Sequence, residues 1–171
     1  MNWSSFWFFW LGGLAVFIGL VVTGSALMTD VAPSGILDHQ TAGSAANVDA
    51  IQASWAEVGR TDTAKWAMVG DLVFIGLYAL GGIIGGRLIW QDALSPSLKK
   101  LGLLCVIAYF FFGLSDYVET ISQITQLLQG QGSDLLASTA ATANPVKSIT
   151  FIIGTLGMIA ALIWRAIERR A

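Results

Sequence analysis

The sequence predicts an all-α fold, a four-transmembrane-helix bundle with short amphipathic helices on its outer, periplasmic side. Three observations carry this. Of the 171 residues, 55% are hydrophobic and only 12% charged, whereas a soluble domain carries about 25% charged residues. Four apolar stretches come close to or exceed the ~20 residues that a helix needs to cross a bilayer. The connection between the first two is too long for a bare loop and holds apolar residues at helical spacing.

The first stretch spans about 6–28. It lacks the positive n-region of a signal peptide and is too long for an h-region, so it reads as a span. The others lie at about 66–90, 101–121 and 146–164. In lipid only helices and closed barrels satisfy every backbone group, and runs of this length without period-2 alternation are helices. The whole chain, 1–171, then forms one membrane domain.

Lys and Arg set the orientation. Arg87, Lys99, Lys100, Arg165, Arg169 and Arg170 fall on one side, and Arg60, Lys65 and Lys147 on the other. The richer side is expected to be cytoplasmic, with both termini there, in a bacterial inner membrane. Trp3, Trp7, Trp10, Trp90 and Trp164 would form an aromatic belt at the inner interface.

Within the outer loop, 29–65, Val48, Ile51, Trp55 and Val58 recur at helical spacing and predict a helix over about 48–58. Asn47 is placed to cap it, Gly59 to end it and Thr61 to cap the next. The segment 31–46 reads as an ordered turn region. The Gly130-Gln131-Gly132 turn stops the third helix. Ser133 or Asp134 then starts a short helix over 135–143, and Asn144-Pro145 opens the fourth span with Pro at its first position. Gly81, Gly82, Gly85 and Gly86, and again Gly154 and Gly157, allow close helix approach.

Composition narrows the function. A net charge of −2 and the lack of a basic run give no footing for nucleic acid. The one cysteine, Cys105, forms no intramolecular disulfide. The one histidine, His39, lies outside the spans, which argues against a His-ligated haem or pigment. It follows Asp38, but adjacent side chains seldom face each other, so a catalytic pair is disfavoured. No serine sits in a nucleophile-elbow context. No metal site is expected, and no cofactor is identified.

Ionisable residues within the spans are the informative ones, because a charge in a bilayer is costly unless paired or hydrated. Asp71, Asp116, Glu119 and Lys147 fall at similar height and should converge in the outer half of the bundle. Tyr78 and Tyr109 lie seven residues from Asp71 and Asp116 on the same helix faces, Thr23, Ser25 and Thr150 add polar groups, and Arg60 is placed to reach the cluster from above. The set Asp71, Tyr78, Asp116, Glu119, Lys147 and Arg60 is therefore the candidate ligand-binding or ion-pair cluster. Three acids against one certain base invite a bound cation, a bound amine or a proton role.

The order of these residues resembles a family of small bacterial four-span membrane proteins of uncharacterised function. Their second span follows a Trp…Gly-Arg segment, here Trp55 and Gly59-Arg60, and carries Asp-x-x-Phe…Tyr, here Asp71, Phe74 and Tyr78. Asp-x-x-Glu, here Asp116 and Glu119, marks the third span, and a Lys, here Lys147, begins the fourth. Thr120 stands where that pattern has Asn. The resemblance covers most of the chain and implies no reaction.

Two functions compete. The favoured expectation is an accessory or assembly subunit of a larger inner-membrane complex, or a homo-oligomer, supported by the aromatic start and the glycine-rich second span. The alternative is a membrane-embedded binder of, or enzyme acting on, a lipid, amine or ion held at the carboxylate cluster. A proton or ion path is least favoured, because the cytoplasmic half lacks ionisable groups apart from interfacial arginines. The bilayer itself is the one partner that composition requires.

Overall fold

The computed structural model describes residues 1–170; Ala171, the last residue of the domain assigned from the sequence, lies outside them. The described residues form α1 (Trp3–Gly24), a 3-10 turn (Ser25–Leu27), α2 (Ile36–Gln40), α3 (Ala45–Glu57), α4 (Thr61–Asp92), α5 (Pro96–Gln129) and α6 (Asp134–Glu168), with no strand among them. Four helices, α1 with its 3-10 extension, α4, α5 and α6, are long and apolar enough to cross a membrane.

The long helices outrun the apolar stretches that revealed them. At 1.5 Å per residue, the 34 residues of α5 rise about 51 Å, well beyond the ~30 Å hydrocarbon core. The overhang carries Leu127 of α5 and Ala137 and Ala140 of α6, all buried. There α2 and α3 form a cap over one end of the bundle.

The cap is held by local signals and by long-range bonds. Ser44, rather than Asn47, is the N-cap of α3, its side chain accepting from the Asn47 N–H. Gly59 ends the helix at φ 66°, with the Arg60 N–H donating back to the Trp55 carbonyl at 2.7 Å, a C-terminal closure that favours glycine. Trp55 is fully buried and its indole N–H donates to the Leu27 carbonyl at 2.8 Å. Val48 and Ile51 are buried with it, whereas Val58, read as part of the same face, is exposed: it is the C-cap residue, where the helix has already left its regular turn. Thr61 is the first residue of α4 rather than its cap, and Arg60 in the cap position offers no side-chain bond. Asp134 accepts from the Ala45 N–H at 2.7 Å, tying α3 to the start of α6.

The predicted break at Asn144-Pro145 is absent. Pro145 lies inside α6, which runs unbroken from Asp134 to Glu168. Proline removes one backbone donor, but membrane helices tolerate that when neighbouring helices hold the flanking turns. Ala137 and Ala140 on one side, and Gly154 and Met158 on the other, are buried.

Helix α1 packs along α4, α4 along α5, and α5 along α6. The small face of α4 is what lets these helices approach: a Cβ on Gly81 would stand 2.5 Å from the Trp10 backbone nitrogen of α1, and Gly82 faces the Tyr109 ring of α5. At the end away from the cap, the Trp3 indole donates to Asp92 at 3.1 Å and the Arg165 guanidinium lies 3.8 Å over the Trp3 ring. Trp10 does not belong to an interfacial belt. It is buried and donates to the Tyr109 hydroxyl at 2.8 Å.

Candidate functional site

Lys147 is the centre of the charged cluster. It lies on α6 two residues past Pro145, and its ammonium reaches two carboxylates of α5. Its Nζ is 3.1 Å from Asp116 Oδ1, and it donates directly to Glu119 Oε1. The i, i+3 spacing puts both acids on the α5 face that meets α6. Glu119 is fully buried and Asp116 is 2% exposed. Burying such charges is unfavourable without a partner, and Lys147 supplies one for both.

Asp71 of α4 joins the cluster differently. Its nearest partner is a hydroxyl: Thr120 donates to Asp71 Oδ2 at 2.8 Å. None of the ion pairs within 4.0 Å among the described residues includes Asp71. Thr120 itself was not singled out as a site residue. Its place directly after Glu119, on a span that must meet Asp71, was the available signal.

Two of the six candidate residues lie elsewhere. Arg60 is exposed at the start of α4, because the α3–α4 turn directs it away from the bundle. Tyr78 lies two turns from Asp71 towards the other end, where its hydroxyl pairs with Thr155 at 2.8 Å and accepts from Tyr109 at 3.4 Å. With Trp10 these form a separate polar network at mid-bundle. Thr23 likewise turns away, its hydroxyl spent on the Gly19 carbonyl at 2.8 Å.

A cavity of about 770 Å³ opens beside the cluster. It lies between α1 and α6 and runs up to α2, whose Ile36, Leu37 and Gln40 line its cap side. Asp71, Asp116 and Lys147 each line it, and so does a phenylalanine one turn further from the cap on the same helix: Phe74, Phe112 and Phe151. Phe17 of α1 completes that layer, its ring centroid 5.2 Å from Phe74 and 5.9 Å from Phe151. The cavity therefore has a ring of charge above an aromatic floor, and the apolar side chains Leu20, Val21 and Ile152 on its flanks. Only Phe74 was legible beforehand, as part of the Asp-x-x-Phe pattern. Phe112 and Phe151 are found by stepping four residues along each helix from its charged residue.

The cap touches the cluster through a polar chain. Gln123 donates to Glu119 Oε1 at 3.2 Å and also contacts His39 of α2. His39 is buried and stacks on Trp55 with centroids 5.2 Å apart. Burial pushes its imidazole down to about 4, a shift that the contact with Gln123 only partly offsets, so the ring is neutral at ordinary pH. Asp38 faces away from it and accepts from the Ser34 N–H at 2.6 Å.

Chemically, the arrangement can hold an amphiphile. It offers carboxylates and an ammonium at one level, aromatic faces below, and aliphatic walls. No three His, Cys, Asp or Glu side chains among the described residues converge as a metal ligand set. No family model matches the chain, and neither does any curated protein or solved structure.

Proposed function

We propose that this protein binds an amphiphilic small molecule within the bilayer, with the polar head at Asp71, Asp116 and Lys147 and the apolar part along α1 and α6. The observation that carries this reading is the cavity of about 770 Å³ whose lining joins those three charged residues to four phenylalanines. Ligand pockets are mostly apolar, with a few convergent polar groups that fix orientation.

The same reading places the protein in a bacterial inner membrane with the cap and the cavity in the periplasmic half. The Lys and Arg asymmetry supports that orientation, and the family resemblance supports the bacterial setting. An accessory subunit of a larger complex remains the competing function. One of its supports is weakened, since the glycine face of α4 is already filled by Trp10 of α1 and Tyr109 of α5.

Purification in a mild non-ionic detergent, followed by native mass spectrometry, tests the reading. Gly24 lines the cavity, and a Cβ there meets nothing within 4 Å, so Gly24→Phe starts a bulky side chain from open space beside the cavity. The wild type is expected to retain an amphiphile at about one per chain, and Gly24→Phe to lose it while keeping the same helicity and elution volume. A stoichiometric protein partner, with no retained amphiphile in the wild type, overturns the reading in favour of the accessory one.

A further inference from the structure

We propose that the head of the bound amphiphile is cationic, an ammonium group seated against Asp71; this rests on the binding reading above. Three carboxylates share one level of the bundle, and only Lys147 stands among them. It is engaged by Asp116 at 3.1 Å and by Glu119, both acids of α5. Asp71 lines the cavity from the opposite helix and receives only the neutral Thr120 hydroxyl, at 2.8 Å. With all four groups ionised, the cluster holds three negative charges and one positive. Intramembrane acids pair with a counter-charge or face a hydrated cavity, and the cavity is where the missing cation fits.

Two further features select an organic cation. Asp116 is 2% exposed, lines the same cavity, and its Oδ1 accepts no hydrogen bond among the described residues. Lys147, its partner at 3.1 Å, is shared with Glu119, and a carboxylate oxygen can accept from a second donor. Below the acids lie the rings of Phe17, Phe74, Phe112 and Phe151. Aromatic faces attract an ammonium and give an alkyl chain a surface to bury against. A hydrated inorganic cation would gain little from them.

The flanks indicate how such a molecule arrives. Helix α1 packs on α4, and α6 on α5, while α1 and α6 face each other across the cavity. Leu20, Val21 and Ile152 flank that gap, so a tail lying between the two helices remains in contact with lipid. The head then moves from the membrane interface to Asp71 without the tail crossing water.

Three single-chain probes that differ only in head group decide the matter: dodecylamine, dodecanol and dodecanoate, offered at equal mole fraction in maltoside micelles. Adducts on the delipidated protein are counted by native mass spectrometry. Dodecylamine is expected to bind about tenfold more tightly than either other probe, and Asp71→Asn to remove about that factor for the amine alone. Dodecanol binding to Asp71→Asn shows that the variant is folded, and the wild-type ranking decides even where it is not. Equal binding of dodecanol and dodecylamine, or a preference for dodecanoate, overturns the cationic head and leaves the amphiphile reading standing. No adduct with any probe, in wild type and Gly24→Phe alike, overturns both.

Discussion

A lysine that serves two acids behaves differently from one that serves a single partner. Lys147 bridges Asp116 and Glu119, while Asp71 is held by Thr120. Lys147→Met should therefore destabilise the protein by about 3–5 kcal/mol, the cost of leaving buried carboxylates unpaired. Adding Glu119→Gln should recover part of that loss, and adding Asp71→Asn should recover much less. Unfolding in SDS-containing mixed micelles measures both. Greater rescue by Asp71→Asn than by Glu119→Gln would show that Asp71, not Glu119, is the energetic partner. The sequence indicated the members of this cluster, because four ionisable residues at one depth in lipid have few alternatives to meeting. It did not indicate who pairs with whom. Pairing depends on helix rotation, which the positions of these residues along the chain do not fix.

The close approach of α1 to α4 depends on the absence of side chains at a few points along α4. A Cβ on Gly81 would meet the Trp10 backbone at 2.5 Å, and backbone cannot move aside as a flexible side chain can. Gly81→Ala should separate the two helices, cost about 1–3 kcal/mol, and weaken the bond between the Trp10 indole and Tyr109. Gly12→Ala is the control, since a Cβ there meets nothing within 4 Å. Intrinsic Trp fluorescence with thermal unfolding distinguishes them, and equal midpoints for both variants would refute the close-packing account. Four apolar helices and a helix around Trp55 were readable from hydropathy and periodicity. The unbroken α6 was not, because Pro145 in the sequence is equally compatible with a helix start and with a packed interior. Trp10 was misplaced for a related reason: a Trp near a terminus suits an interface, and only the opposing Tyr109 shows that it is buried.

At the scale of the whole molecule, the two ends differ in chemistry. One end carries the cap, the charged cluster and the cavity; the other carries Trp3, Asp92, Arg165 and Arg169, with both arginines 3.5 Å from Asp92. In the proposed orientation the cap faces the periplasm. With Cys105 replaced by Ser, a cysteine at Ser44 should react with an impermeant maleimide in intact cells, and one at Ser97 only after lysis. The reverse pattern would invert the orientation while leaving the cavity and its chemistry as described.

The bridge made by Lys147 also has a consequence in time. A ribosome completes α4 and α5 before α6, so Asp71, Asp116 and Glu119 reach the bilayer ahead of the only base at their depth. At roughly 5–20 residues per second, those acids wait for seconds in water, in the insertion machinery or in a protonated form. Helix α1 bears no ionisable side chain and can wait in lipid indefinitely. A nascent chain interrupted before Lys147 therefore carries unpaired acids, which distinguish it from a finished one.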